Sequence, residues 1–270
     1  MNQNDSQFIG SIPENYDNGL GPYIFGDYGD DLAARAAASG ATDILETAAG
    51  TGIVSRKLRD ALPPHAALVV TELNPPMLAV ASGKFRKEEN VTFQPADAQD
   101  LPFDDNAFDL VVCQFGVMFF PDKQKAYREV LRVLRPGGTY LFNAWGNFAA
   151  NPFAEITHEV AGGFFPDDPP QFYKVPFSYS DTKAVEADMK TAGFLEVSSE
   201  TIGIEKVVTD WARFARGIVY GNPLIGEIES RDGVEADEVM QAILAALTER
   251  FGQDPSSMPL LATVYEGHAP

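Results

Sequence analysis

Cysteine is almost missing from this 270-residue chain: the single Cys113 excludes an internal disulfide and a cysteine-based metal cluster. Histidine is scarce too, and the three present, His65, His158 and His268, are too dispersed to suggest a metal site. Cations are few, with 20 Lys and Arg against 39 Asp and Glu, for a formal net charge of −19. A surface that tracks nucleic-acid phosphates needs clustered Lys and Arg, so nucleic acid is excluded as a partner. Binding to anionic lipid by charge alone is excluded for the same reason. No apolar run approaches the length of a membrane span, and the polar opening MNQNDSQ does not read as a signal peptide. The expectation is a cytoplasmic protein without a membrane span, either a monomer or a homodimer.

What is present is a rhythm of short apolar runs and helical patterns, the mark of a parallel sheet flanked by helices. Strands are expected at residues 43–47, 67–71, 91–94, 108–114 and 139–144, with helices at 53–62, 76–87 and 123–134 between them. "RPGG" (135–138) reads as a compact turn feeding the fifth strand. After Trp145 the rhythm breaks into a stretch rich in Phe, Pro and Asp that is too long for a simple connection. It then resumes with a helix at 181–192 and a strand at 194–202. Helices at 209–218 and 234–251 and a last strand at 260–264 complete the pattern.

Chemistry concentrates at the strand ends. "ETAAGTG", Glu46 to Gly52, is a strand-to-helix crossing in which glycine leaves room for a ligand against backbone. A nicotinamide fingerprint would need a third glycine where Ser55 stands, so that match is incomplete. Glu72 follows Gly52 by twenty residues and ends the second strand, where a carboxylate can accept both hydroxyls of an unphosphorylated ribose. That spacing alone does not separate NAD from other adenosine cofactors, and Glu72 could equally be a solvated loop acid. Past the third strand, Asp97 and the Ala98 N–H can together satisfy the donor and acceptor of an adenine edge, although Asp97 by itself is a common turn former.

Taken together, "ETAAGTG", "TELNPPML", "ADAQDLPF", "FDLVVCQFGVMFFPD" and "REVLRVLRPGGTYLFNAWG" resemble class I S-adenosylmethionine-dependent methyltransferases. The resemblance is strongest over residues 45–146, and nearest the small-molecule branch similar to ubiquinone/menaquinone-biosynthesis methyltransferases. It implies a doubly wound, Rossmann-like, mostly parallel seven-stranded α/β sheet with an antiparallel last strand. It also implies an N-terminal lid (1–30), a cofactor-binding core (31–146), an acceptor-side insertion (147–180) and a remainder with helical cap elements (181–270). By position, the cofactor S-adenosylmethionine would meet Tyr16, Tyr28, Glu46, Ala48, Ala49, Gly50, Gly52, Glu72, Leu73, Met77, Asp97, Ala98, Gln99 and Gln114. Glu46 would orient the methionine amino group, Glu72 would hold the ribose, and Asp97 with Ala98 would read the adenine. Two departures stand out. Ala48 replaces the usual first glycine and is expected at negative φ, and Glu72 replaces the usual Asp.

For the acceptor, a small and apolar or aromatic molecule, the N-terminal segment and the insertion supply many aromatics. Phe25, Phe119, Trp145, Phe148 and Phe164 are the expected contacts, with Phe153, Phe165, Phe172 and Tyr173 nearby and a packing role the plainer reading for most of them. His158, in "NPFAEITHEV", is the candidate general base, set against the simpler reading of a solvent-facing residue on a short helix. The N-terminal text "ENYDNGLGPYIFG" shows no strong helical period and is expected to be mobile until cofactor binds. Two alternatives to methylation remain at this point: other chemistry on the same cofactor, or a non-catalytic cofactor-binding partner subunit.

Overall fold

A computed structural model describes residues 8–270; residues 1–7 of the expected lid lie outside the described residues. Seven strands form one sheet: β1 (Asp43–Glu46), β2 (Ala67–Glu72), β3 (Val91–Pro95), β4 (Phe108–Gln114), β5 (Leu134–Trp145), β6 (Leu195–Val208) and β7 (Ser256–His268). Their order is β3-β2-β1-β4-β5-β7-β6. β1 lies parallel to β2 and β4, β2 to β3, and β4 to β5, while β7 runs antiparallel to both β5 and β6. The expected doubly wound sheet with an antiparallel last strand is what the chain adopts. Strand order reverses between β1 and β4, and the carboxyl ends there are where an open α/β sheet binds its ligand.

Alternation along the central strands sorts side chains between two cores. Ile44, Leu110, Val112 and Leu141 face one layer with Leu32, Val54 and Leu58, from α2 (Gly26–Ala38) and α3 (Ile53–Ala61). Leu45, Val111, Cys113 and Phe142 face the other, with Tyr127 and Val130 of α5 (Lys123–Val133) and Met189 of α7 (Thr182–Ala192). Cys113 is fully buried there, and burial pushes its thiol up to about 12, so it behaves as a core residue. α4 (Pro75–Ser82) follows β2 and stops at Gly83, short of the helix to 87 that the sequence suggested. "RPGG" falls inside β5 as an irregularity: with Gly137 at φ 75°, the β4–β5 register jumps from Phe108↔Leu134 to Leu110↔Thr139.

Above the sheet sit α6 (Pro152–Phe164), α8 (Trp211–Tyr220), α9 (Leu224–Glu229) and α10 (Ala236–Phe251), with α10 packed on both α6 and α8. The N-terminal segment departs most from expectation. After α1 (Ile12–Asn15) it winds as a ten-residue π-helix, Tyr16–Phe25, and runs directly into α2. The wide i→i+5 turn has no 3.6-residue period, so an α-helical template misses it. Its glycines serve contact: a Cβ on Gly19 would lie 2.5 Å from the Gly217 Cα of α8. Leu20, Tyr23, Ile24 and Phe25 are buried, and Asp17 fastens the segment by accepting from Thr51 Oγ1 at 2.7 Å and pairing with Lys84.

Candidate active site

Three adjoining cavities open at the carboxyl ends of β1, β2 and β4 and beneath the upper helices. The first, about 930 Å³ counting the space open to solvent, is lined by Gly50, Glu72, Leu73, Met77, Asp97, Ala98, Gln99 and Gln114, among others. The second, about 490 Å³, is walled almost wholly by aromatic and aliphatic side chains. The third, about 280 Å³, lies between Glu46, Ala48, Ala49 and Gln114 below and Tyr16 and Phe25 above.

Local backbone shapes the first cavity. Ala48, Gly50 and Gly52 take φ of 52°, 58° and 76°. Ala48 therefore does not have the negative φ its side chain would prefer, at a cost of about 1–2 kcal/mol. It is held there by its neighbours: Thr47 N donates to Val112 O at 2.9 Å and Ala49 N to Thr71 O at 3.0 Å. Gly116 makes room for it, because a Cβ at 116 would meet the Ala48 Cβ at 2.6 Å. Gly52 lines none of the three cavities. A Cβ on it would lie 2.9 Å from the Ala81 backbone, so this glycine lets α3 pack against α4.

Glu72 is fixed before any ligand arrives. Its Oε2 accepts from Gly50 N at 3.0 Å, and its Oε1 accepts from Asn74 N and Nδ2, each at 2.9 Å. Asp97 Oδ1 accepts from Gln99 N at 2.8 Å, and Gln99 in turn accepts from Asp122 N through Oε1, so the turn after β3 is braced.

Glu46 is the opposite case. It is 1% exposed, and its Oε2 has no hydrogen-bond partner among the described residues. Burial raises its carboxyl to about 8, the Ser55 hydroxyl opposing the shift and the Glu72 charge adding to it. Across the small cavity Gln114 donates through Nε2 to Phe25 O at 3.2 Å, while its buried Oε1 is also unpartnered. Two buried polar oxygens without partners are expensive to keep, at about 1–3 kcal/mol each. The resemblance assigns a ligand ammonium to Glu46.

Phe8, Leu20, Ile24, Phe115, Phe153, Phe172, Tyr173, Pro176, Phe177 and Asn222 line the second cavity together with Tyr16, Phe25, Phe119 and Trp145. Phe115 is held at φ 49°, its N–H donating to Asn143 Oδ1 at 3.0 Å, and its ring lies flat on Trp145 at 3.9 Å. Asn222 spends its amide internally, donating to Ile218 O and Tyr173 Oη and accepting from Leu224 N. Among the described residues the cavity offers no Asp, Glu, Lys, Arg or His side chain.

Several expected contacts lie elsewhere. His158 and Phe148 do not line the cavity: Phe177 forms the wall, Phe148 stacks behind it at 5.0 Å, and the His158 ring stacks behind Phe148 at 5.8 Å. Burial holds the His158 imidazole below its ordinary value, with Lys174 adding to the effect. Phe164, on α6, packs against the core instead. Tyr28 supports the site from behind, edge-on to Phe115 and Trp145, with its hydroxyl donating to Ile202 O at 3.3 Å. Phe8, Phe115, Phe177 and Asn222 were not foreseen. Phe115 alone carried a signal, since it directly follows the site residue Gln114 at a strand end.

Comparison with known proteins agrees with this geometry. Residues 45–142 match the methyltransferase domain family. The ubiquinone/menaquinone biosynthesis C-methyltransferase of Idiomarina loihiensis is 40% identical over 101 residues, 36% of this chain and 40% of that protein. Its counterpart from Ectopseudomonas mendocina is 31% identical over 169 residues, 57% of this chain and 66% of that one. The chain thus spans less than two thirds of either relative. Among solved structures, phosphoethanolamine N-methyltransferase 2 of Haemonchus contortus, in complex with S-adenosyl-L-methionine, superposes with a TM-score of 0.59. It is 16% identical, and the match covers 96% of this chain and 56% of that one. Residues 45–142 are accordingly a methyltransferase domain on the class I, S-adenosylmethionine-dependent fold, similar to the domain of the ubiquinone/menaquinone-biosynthesis C-methyltransferases.

Proposed function

We propose that the protein transfers a methyl group from S-adenosylmethionine to a small, uncharged, apolar or aromatic acceptor bound in the 490 Å³ cavity. One observation carries the reading: Glu46 and Gln114, each with a buried oxygen that has no partner among the described residues, line a small cavity that adjoins the larger one bearing Glu72 and Asp97. In this reading Glu46 and Gln114 hold the methionyl ammonium, Glu72 the ribose hydroxyls, and Asp97 with Ala98 the adenine edge, with Leu73 and Met77 on its faces. When bound, the cofactor would supply an electrophilic methyl and a sulfur leaving group that keeps the electron pair of the broken carbon–sulfur bond, and any proton released by the methylated acceptor would leave with the product to bulk solvent. The chain's own part is to orient both molecules and exclude water, which supplies several kcal/mol of the barrier lowering.

Aromatic walls without a counter-ion favour an acceptor that is uncharged, because an unpaired ion buried among them would cost several kcal/mol. His158, two rings behind the wall, is not needed as a base in this scheme. We place its work in the cytoplasm as part of this proposal, with Cys113 free and buried; no helix among the described residues is long and apolar enough to cross a membrane. Calorimetry with S-adenosylmethionine, S-adenosylhomocysteine and NAD, followed by product analysis with methyl-labelled cofactor and neutral arenes, tests the proposal. The first two ligands should bind and NAD should not. Micromolar NAD affinity with none for S-adenosylhomocysteine would end it. Cofactor turnover to unmethylated product would point to other chemistry on the same fold.

A further inference from the structure

Tyr16 occupies a position no other described side chain shares: it lines all three cavities. Its ring lies on Phe25, centroids 4.9 Å apart and planes at 22°, and Phe25 in turn faces the aromatic and the small cavity. Its hydroxyl end reaches the loop after β1, where a Cβ on Gly50 would lie 3.9 Å from both Cε1 and Oη. Among the described residues that hydroxyl makes no hydrogen bond; the hydroxyls of Tyr140 and Tyr265 are also without a partner, but those two side chains line none of the three cavities. The π-helix that presents Tyr16 is pinned close by, through Asp17 to Thr51 and Lys84 and through Phe25 O to Gln114.

Resting on the methyl-transfer reading above, we propose that Tyr16 is the positioning residue that aims the reactive methyl group from the cofactor cavities into the aromatic one. The topology requires it. With the ammonium at Glu46 and Gln114 and the ribose at Glu72, the sulfur lies between those anchors, and among the described residues the one that borders both cofactor cavities and the acceptor cavity is Tyr16. A phenol offers two things to a methyl on cationic sulfur: oxygen lone pairs for its polarised C–H groups, and an electron-rich ring face. Burial beside Glu72 and Asp17 holds the phenol well above its ordinary value, so the group stays protonated and orients rather than removes a proton.

The test compares S-adenosylmethionine with S-adenosylhomocysteine, which differ by the methyl and the charge. Tyr16→Phe keeps the stack on Phe25 and is expected to fold as the wild type, which a melting curve checks. Its preference for S-adenosylmethionine over S-adenosylhomocysteine should fall about two- to fivefold, the scale of one such contact. Tyr16→Ala should lower it about tenfold or more by losing the ring as well. The ¹³C resonance of a labelled methyl on the bound cofactor should move in Tyr16→Phe and move further in Tyr16→Ala. Unchanged preference and resonance in both variants would reduce Tyr16 to a wall and overturn this inference alone. A wild-type protein that binds neither ligand would overturn the methyl-transfer reading along with it.

Discussion

The two halves of the site are built by different rules. The half proposed to hold the cofactor takes one or two residues from or just past the end of each central strand, so its polar groups appear in the sequence where strands stop: Glu46, Glu72, Asp97 and Gln114. The half proposed for the acceptor collects rings from the π-helix, from β5 and its neighbours, and from α6 and the loop after it, with the Asn222 amide between α8 and α9. The first half is fixed by hydrogen bonds that only certain residue types can make. The second is fixed by ring-on-ring packing that many hydrophobic sequences could supply. Polar recognition is thus local and specific in type, while apolar recognition is distributed.

The largest effect that would probe this contrast is expected from Gly50→Val. A β-branched residue at φ 58° is strained, and its methyls would enter the space between Met77 and Tyr16. Cofactor binding should be lost by calorimetry while the circular dichroism spectrum stays that of a folded protein. Normal affinity would show that the loop is not the cofactor's seat. Glu72→Ala should come next, weakening S-adenosylhomocysteine binding by about 1.5–3 kcal/mol, the range for hydrogen bonds to a charged group.

Phe177→Leu, on the acceptor side, should behave in the reverse way. It removes a ring that packs on Phe148, Phe153 and Trp145, so binding of a neutral arene should change by about tenfold or less, as expected for a change of one to a few methylenes. Cofactor affinity should stay within twofold. Equal losses for both ligands would mean that the halves are not separable.

A smaller effect concerns one proton. The buried Glu46 carboxyl is raised to about 8 in the free protein, so at pH 7 it is mostly protonated. An ammonium beside it favours the ionised form, and binding should then release close to one proton. Calorimetry at pH 7 in buffers of different ionisation enthalpy measures this, and Glu46→Gln should release none. The same shift sets a sign for stability. A carboxyl whose folded value lies above its unfolded one contributes most below about 4.5 and loses that contribution as pH rises through 8. Ligand-free Glu46→Gln should therefore melt higher than wild type at pH 8. Least of all is expected from His158→Ala: turnover within tenfold of wild type and an unchanged pH profile.

What the sequence revealed follows the same division. The strands and their helices were legible because runs such as Leu110–Val112 are buried on both faces and cannot be mistaken for loops. Glu46, Glu72 and Asp97 were legible because each stands at a strand end. The π-helix was not, because its period matches no common template and its glycines suggest a loop until Gly217 is seen against Gly19. Phe177 and Asn222 were not, because nothing local distinguishes a ring or an amide that lines a cavity from one that fills a core. Phe148, Phe164 and His158 fell in the right segment, yet they stand behind the wall.

The Gly19–Gly217 contact carries a consequence for how the proposed activity could change its substrate. The segment proposed to roof the cofactor rests on α8, where a Cβ on either glycine would run into the other backbone. A lineage that drifts toward a bulkier acceptor by shifting α8 would lift Tyr16 and its hold on the cofactor loop together. New specificity is therefore more accessible through the rings of α6 and the loop after it, whose exchange leaves the glycine pair untouched. The molecule has one face on which it can innovate and one seam on which it cannot.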